Sequence, residues 1–255
     1  MDLLLFVFGA TVGSFLNVCI YRLPRNKSVV LPRSFCPSCE KPIKLYDNIP
    51  IISYLLLKGK CRQCDAKISI KYPIVEFITA FFFLMLFRKY GLSFEFLVNA
   101  LFISLLIAIS FIDLEFQIIP DVLSIGGLLV GFASTFFRKP VFFWLDAVYG
   151  VLAGGGILFA IAYGYQFITK REGMGGGDIK LLGMIGAFCG VKGVIFSLMS
   201  GSLIGTLVGI PMMLIEGKDT KYAIPFGPFL SFGALTFIFV GDRVIYEFLS
   251  FITGR

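Results

Sequence analysis

The sequence contains no histidine, although the chain is 255 residues long. Histidine is the side chain most often used for acid–base catalysis at neutral pH, and it is also a common metal ligand. Its absence excludes every mechanism that needs an imidazole base or an imidazole ligand. Carboxylates are therefore the side chains expected to perform any acid–base chemistry.

Charged residues are scarce as well. They make up 15% of the chain, whereas 57% of the residues are hydrophobic and the mean hydropathy is +0.89. Such a composition is typical of membrane proteins, in which a helix needs about 20 apolar residues to cross the hydrocarbon layer. The sequence predicts an all-α polytopic membrane protein with about eight transmembrane helices. The predicted spans are residues 1–21, 73–87, 92–112, 122–137, 143–168, 180–191, 193–216 and 223–240.

The first span, residues 1–21, has the length of a secretory signal peptide. It lacks a basic segment before its apolar run, and it has no clear small-residue cleavage site. A signal peptide that is removed from the mature protein is expected to have both the basic segment and the cleavage site. We therefore expect residues 1–21 to be retained as the first transmembrane helix.

Positive charge is concentrated in one polar segment. Residues 22–71 contain eleven of the 23 Lys and Arg residues and only three acidic residues. The positive-inside rule places this segment in the cytoplasm and predicts a multi-pass protein of the cytoplasmic (inner) membrane. The net charge of +7 then indicates topology and contact with anionic membrane lipid, and we expect no nucleic-acid partner.

Four of the six cysteines form two Cys-x-x-Cys pairs within this polar segment. Cys36 and Cys39 are separated from Cys61 and Cys64 by 21 residues, a spacing typical of four thiolates that bind one structural Zn²⁺. Metal binding would supply folding free energy to a segment with little apolar core of its own. Two disulfides, or a redox role, are the alternatives, and a reducing cytoplasm disfavours disulfides.

These observations divide the chain into three predicted parts. The first is a transmembrane helix (1–21), and the second is a small cytoplasmic zinc-binding insert between helices 1 and 2 (22–72). The third is a helical membrane bundle (73–255) that carries the acidic residues described next.

Two aspartates lie where an apolar span meets a loop. Asp113 follows an apolar run, and Asp178 directly follows Gly175, Gly176 and Gly177. Ionisable groups at membrane depth are costly and therefore usually functional, although an aspartate at a helix end also serves as a cap. Two carboxylates that share a proton can activate a water as base and protonate a leaving group as acid. The glycines permit a turn and the close approach of a substrate backbone.

Six landmarks of the chain, in order, resemble the type IV prepilin peptidase family, with the two Cys-x-x-Cys pairs counted as one. They are residues 13–24, the two Cys-x-x-Cys pairs, and residues 72–76, 112–121, 175–178 and 225–230. The resemblance extends nearly from end to end. It implies that Asp113 and Asp178 are the catalytic aspartates, and that Asp121 is an acidic position outside the water-activating pair.

The resemblance further implies a bifunctional membrane enzyme. Members of the family cleave the short basic leader from prepilins and pseudopilins after a glycine, at the cytoplasmic face of the membrane. They then N-methylate the new N-terminal residue with S-adenosylmethionine as the methyl donor. Glu76 lies in an apolar span four residues beyond Tyr72. We expect it either to pair with Arg22 or Lys71 or to serve the methyl-transfer site.

The residues alone are also compatible with other classes of protein. A proton- or metal-coupled transporter would use the same buried carboxylates, but the sequence has no visible inverted repeat and its acidic groups lie at one face. A non-enzymatic membrane scaffold with a zinc ribbon would leave the acidic pair unexplained. A relative that cleaves without methylating is a further alternative, which the complete cysteine insert disfavours.

Overall fold

The computed structural model describes residues 1–138, 143–170, 175–216 and 225–253. Within these residues the predicted all-α fold is confirmed, with two isolated antiparallel β-bridges between the first and third helices. The helices are α1 (Asp2–Arg22), α2 (Ile52–Leu56), α3 (Lys71–Tyr90), α4 (Phe94–Phe116), α5 (Asp121–Ser134), α6 (Trp144–Thr169), α7 (Gly176–Glu216) and α8 (Gly227–Thr253).

Four of the described helical segments are long and apolar enough to cross a membrane: Asp2–Arg25, Phe94–Phe116, Trp144–Thr169 and Gly176–Pro211. Helices suit this environment because each satisfies its own backbone polar groups where no water is present. α5 and the first part of α8 are apolar but shorter. The helices fit a multi-pass membrane protein, and the count of eight spans stays a prediction.

Helix α7 contains a break at Gly190, where φ is 66° and ψ is −171°. Only glycine adopts this backbone conformation without strain. The break separates the helical residues before Gly190 from those that follow it. The sequence prediction placed a boundary between spans at nearly the same point, between residues 191 and 193.

Helix α8 extends further than the sequence predicts. The predicted span ends at residue 240, whereas the helix continues to Thr253. The added segment contains no proline, and Gly241 is tolerated within the helix. Apolar residues such as Val244 continue the helical pattern, so the chain meets no signal strong enough to end the helix.

The first compact unit comprises Met1–Ala108. In it α1 packs closely against α3 through two glycines. A Cβ atom on Gly9 would lie 2.7 Å from the Cα atom of Ala80, and one on Gly13 would lie 2.7 Å from the Cα atom of Glu76. Glycine at these positions lets the two backbones approach. The contact fixes the start of α3, and with it Glu76, against the middle of α1.

The second compact unit comprises Ile109–Arg255, so α4 contributes residues to both units. Helix α6 packs on α7 with the backbones in contact. A Cβ atom on Gly150 would overlap the carbonyl group of Gly186, and one on Gly154 would overlap that of Leu182. Small residues at these positions permit the approach, as is common between membrane helices. The packing holds the first part of α7, which carries Asp178.

Candidate active site and candidate metal centre

Asp113 lies in the last turn of α4 and is 5% exposed. Its Oδ2 atom accepts a hydrogen bond from the backbone N–H of Gly227 at 3.0 Å. Gly227 is the first residue of α8, where backbone N–H groups have no partner within the helix. The start of α8 therefore orients the Asp113 carboxyl group, and the carboxyl group in turn satisfies a buried donor.

Gly227 is a site residue that sequence reasoning did not single out. A Cβ atom at this position would lie 2.7 Å from the Oδ2 atom of Asp113, which is shorter than any ordinary contact. Only glycine leaves room for the carboxylate to reach the backbone N–H. The sequence does contain a signal for this role, because Gly227 stands between Pro225 and Pro228. These residues belong to the segment 225–230, which resembles the prepilin peptidase family.

Asp178 is the third residue of α7 and is half-buried. Its backbone N–H donates to the carbonyl oxygen of Gly175 at 3.2 Å, which closes the turn that leads into the helix. Both predicted carboxylates lie within the second unit, although 64 residues separate them in the chain.

Ile119 lies between the start of α7, which carries Asp178, and Gly227, whose N–H group contacts Asp113. A Cβ atom on Gly177 would lie 3.0 Å from the Cβ atom of Ile119, and one on Gly227 would lie 3.4 Å from its Cδ1 atom. Gly177 therefore supports the site by allowing α7 to approach Ile119. Gly176 has open space around its Cα atom. The earlier residues of the glycine-rich segment, 173 and 174, lie outside the described residues.

An ion pair joins the helices on either side of the site. The Nζ atom of Lys180 lies 2.6 Å from the Oδ1 atom of Asp121, and both side chains are substantially exposed. An exposed pair contributes little to stability, but this one links the first residue of α5 to the first turns of α7. Asp121 is engaged here by Lys180, and its place outside the water-activating pair stays a prediction.

The two Cys-x-x-Cys pairs fold into two turns of the same form. The backbone N–H of Cys36 donates to the carbonyl oxygen of Lys41 at 3.0 Å, and that of Cys61 donates to Ala66 at 2.9 Å. Glu40 and Asp65 occupy equivalent places and have left-handed φ angles of 55° and 54°. Each turn presents its two thiols to the other turn.

The four thiols form a cluster that fits a tetrahedral metal ion. The Sγ atoms of Cys36, Cys39, Cys61 and Cys64 all lie within 4.8 Å of one another, and all six cysteines of the chain are free. Sγ atoms bound to one Zn²⁺ at about 2.3 Å would lie roughly 3.8 Å apart. The Sγ atoms of Cys36 and Cys64 are 3.8 Å apart.

The surroundings of Cys36 favour a thiolate, which is the form that binds metal. Burial opposes ionisation, but hydrogen bonds from the backbone N–H groups of Cys39 and Ser38 help to lower the pKa of the Cys36 thiol to about 7. Four thiolates would complete the coordination of Zn²⁺ and leave no position for a substrate. The cluster therefore fits a structural metal site.

We expect the purified protein to contain about one zinc ion per chain. Replacing Cys36 by Ser should remove the metal and expose residues 23–70 to proteases, because metal binding supplies folding free energy to this segment. Metal analysis and limited proteolysis measure both effects. Cys189→Ala is the matched control, since it removes a thiol outside the cluster and should keep the zinc. Full zinc content in Cys36→Ser would contradict the assignment.

Glu76, in the second turn of α3, has a partner that the sequence did not indicate. It is 8% exposed, and its Oε2 atom accepts the backbone N–H of Ile51 at 2.7 Å. Ile51 precedes α2 and has a φ of 63° and a ψ of −50°. Arg22, one of the predicted partners, donates instead to the carbonyl oxygens of Ser28 and Pro32 at 2.9 and 2.7 Å.

The fold and the site define a helical protein that fits a membrane, with two aspartates in its second unit and a four-cysteine cluster in its first. Residues 7–90 match the bacterial peptidase A24 N-terminal domain. Residues 100–210 match the type IV leader peptidase family, and this range includes both aspartates of the site. The chain belongs to this family. No solved structure matches it.

Curated relatives cover nearly the whole chain. A protein from Aeromonas salmonicida (strain A449) is 34% identical over 98% of this chain and 94% of its own length. One from Legionella pneumophila is 35% identical over 98% and 95%, and one from Pseudomonas aeruginosa is 33% identical over 96% and 92%. Each relative carries the name prepilin leader peptidase/N-methyltransferase.

Proposed function

We propose that the protein is a membrane aspartyl endopeptidase that removes the leader peptide of prepilins and pseudopilins after a glycine. The observation that carries the proposal is the location of Asp113 and Asp178 in one unit of a chain that belongs to the leader peptidase family. Within that unit Ile119 lies beside both Gly177, which precedes Asp178, and Gly227, whose N–H group contacts Asp113. Such a pair can catalyse peptide hydrolysis without histidine, which the chain lacks.

The chemistry needs one carboxylate and one carboxylic acid. The carboxylate takes a proton from a water, whose oxygen attacks the carbonyl carbon of the scissile peptide bond. The carboxylic acid stabilises the developing oxyanion, and a proton then passes to the leaving nitrogen as the carbon–nitrogen bond breaks. Gly227 holds Asp113 in place through its N–H group. Positioning of this kind accounts for a large part of enzymatic rate enhancement.

We propose a second activity, N-methylation of the N-terminal residue that cleavage releases. It is supported by the names of the relatives, which cover nearly the full length of the chain. S-adenosylmethionine would supply an electrophilic methyl group, which the neutral amine accepts with loss of a proton and release of S-adenosylhomocysteine. The four-cysteine cluster lies within the residues that match the bacterial N-terminal domain, and zinc there would be structural.

We place the site and the cysteine insert at the cytoplasmic face of the inner membrane. The support is the density of Lys and Arg in residues 22–71, which contain eleven of the 23 in the chain. Trypsin should therefore cut this segment in inverted membrane vesicles but not in intact spheroplasts. Cleavage of this segment only in spheroplasts would show that the protein has the opposite orientation in the membrane.

The proposed function is tested with the purified, zinc-containing enzyme in detergent. It is incubated with S-adenosylmethionine and a prepilin whose cleavage junction reads Gly-Phe, and the products are analysed by intact mass spectrometry. We expect cleavage after the glycine and a mature chain heavier by one methylene group. Failure to cleave several prepilins would overturn the proposed peptidase activity. Cleavage without the added mass would overturn only the proposed methyltransferase activity.

A further inference from the structure

An apolar surface lies on the short helix α2 and on the residues beside it, apart from the aspartates and the cysteine cluster. Residues 49–60 are termed the α2 segment. Its large apolar side chains that are 45 to 75% exposed are Ile49, Ile52, Leu55 and Leu56. Neighbouring exposed apolar side chains usually mark an interaction with a protein or with a membrane. The surface belongs to the polar insert, so it requires an explanation other than the apolar helices.

Hydrogen bonds fix which side of α2 is turned outward. The hydroxyl group of Ser53 accepts the backbone N–H of Ile49 at 3.0 Å and donates to the carbonyl oxygen of Tyr46 at 3.0 Å. Ser53 is buried, so its side of α2 faces the protein. The exposed side chains that lie three and four residues apart, and therefore share one face of a helix, are Ile52, Leu55 and Leu56.

The packing of α1 on α3 shows the level at which the α2 segment begins. The two helices are antiparallel, since Gly13 lies against Glu76, and Asn17 donates to the carbonyl oxygen of Tyr72 at 3.0 Å. Gly13 is in the middle of α1, whose last residue is Arg22. The nine residues between these two levels correspond to about 14 Å along a helix axis. Glu76 therefore lies well inside the end of α1.

Ile51, in the α2 segment, is held beside Glu76. Its backbone N–H donates to the Oε2 atom of Glu76 at 2.7 Å. Its φ of 63° is an outlier for a β-branched residue, which persists only where the surrounding structure imposes it. A glutamate side chain is much shorter than the distance from Gly13 to the end of α1, so Ile51 lies at a level within the length of α1. In a membrane that α1 crosses, the α2 segment begins at the level of the lipid.

The charges of the α2 segment suit an anionic membrane surface. Lys58 and Lys60 follow the apolar face, and residues 48–60 contain no acidic residue. Both lysines are exposed. Basic residues beside a membrane are attracted by the negative surface potential of anionic lipids. A basic peptide would be repelled by the same lysines, so lipid is the favoured occupant of this surface.

We propose that the α2 segment is a membrane anchor that binds anionic lipid. Its exposed apolar face lies among the acyl chains, and Lys58 and Lys60 bind the phosphate of the headgroups. Amphipathic elements of this kind lie in the plane of the interface, with the apolar face about 5–10 Å below the headgroup boundary. The anchor would hold the cysteine cluster close to the membrane, because Cys61 directly follows Lys60. The proposal is independent of the peptidase and methyltransferase activities.

Quenching of tryptophan fluorescence tests the depth of the anchor in the full-length, zinc-containing enzyme. The chain has one tryptophan, so Leu56→Trp is made in a Trp144→Phe background and placed in phosphatidylglycerol nanodiscs. Val30→Trp in the same background is the matched control. Val30 is as exposed as Leu56, but Arg22 holds its loop at the end of α1 through the carbonyl oxygens of residues 28 and 32.

Bromine on the acyl chains should quench the tryptophan at residue 56 at least about threefold more strongly than the one at residue 30. Iodide in the water should have the opposite preference. Quenching of residue 56 by iodide and not by brominated lipid would place the surface in water and overturn the proposal. Protection of residue 56 from iodide only after a prepilin is added would overturn it as well, because the surface would then bind protein.

Photoactivatable lipids test the two lysines locally. The wild type is irradiated in nanodiscs with headgroup-labelled phosphatidylglycerol or phosphatidylcholine, and cross-links within residues 45–60 are counted by mass spectrometry. The ratio of the two yields should fall about fivefold for each charge that Lys58→Gln/Lys60→Gln removes. Lys58→Arg/Lys60→Arg keeps both charges and should keep the ratio. An unchanged ratio in the glutamine variant, or no cross-link to this segment in the wild type, would overturn the headgroup contact.

Discussion

Replacing either Asp113 or Asp178 by asparagine should lower the rate of prepilin cleavage by at least about 1,000-fold. Asparagine has nearly the same size, so the fold is retained, but it neither takes a proton from water nor donates one as an acid. The remaining carboxyl group then lacks its partner for one of the two proton transfers. The rate is measured by quantitative mass spectrometry of the released leader.

The matched control for this prediction is Asp146→Asn. Asp146 is a carboxylate of the same unit, in the first turn of α6, and it accepts the backbone N–H of Phe143 at 3.4 Å. Its loss weakens a helix cap and should leave the cleavage rate within about threefold of the wild type. A folded Asp113→Asn or Asp178→Asn enzyme with full activity would show that the pair is wrongly assigned.

Gly227→Ala should lower the cleavage rate by about 100-fold although no reacting group is removed. The added Cβ atom would lie 2.7 Å from the Oδ2 atom of Asp113. The carboxyl group must therefore move, and it loses its hydrogen bond from the Gly227 N–H. Since the effect is on positioning, kcat should fall much more than KM rises, and the steady-state kinetics of cleavage separate the two.

Gly126→Ala provides the comparison. A Cβ atom on Gly126, in α5, meets no atom within 4 Å, so this variant adds the same methyl group without a clash. It should keep the wild-type rate. If Gly227→Ala retains wild-type kcat, the contact with Asp113 does not matter for cleavage. If its zinc content and thermal unfolding match those of Gly126→Ala while kcat falls, the loss is local to the site.

Much of the fold was predictable because membrane helices carry a strong local signal. Apolar runs predicted the positions of α1, α4 and α6 to within a few residues, and glycine at residue 190 accounts for the break in α7. The end of α8 was not predictable in the same way, since Gly241 interrupts the apolar pattern without ending the helix.

The site was predictable only in part. The two aspartates stood out because charge is rare in apolar surroundings, and the four cysteines because of their spacing. The contact of Gly227 with Asp113 joins residues 114 positions apart, and that of Ile51 with Glu76 joins residues 25 positions apart. Both depend on backbone N–H groups, which every residue except proline possesses, so the sequence does not show which N–H group reaches each carboxyl group.

The central claim is that Asp113 and Asp178 act as one unit in cleavage, and the double variant Asp113→Asn/Asp178→Asn tests it most directly. Residual cleavage rates of the wild type, both single variants and the double variant are measured on one prepilin. Because a unit is already disabled by the loss of one member, the double variant should be no more than about threefold slower than the slower single variant. A double variant slowed by the product of the two single effects would show that the carboxyl groups act independently and would contradict the account.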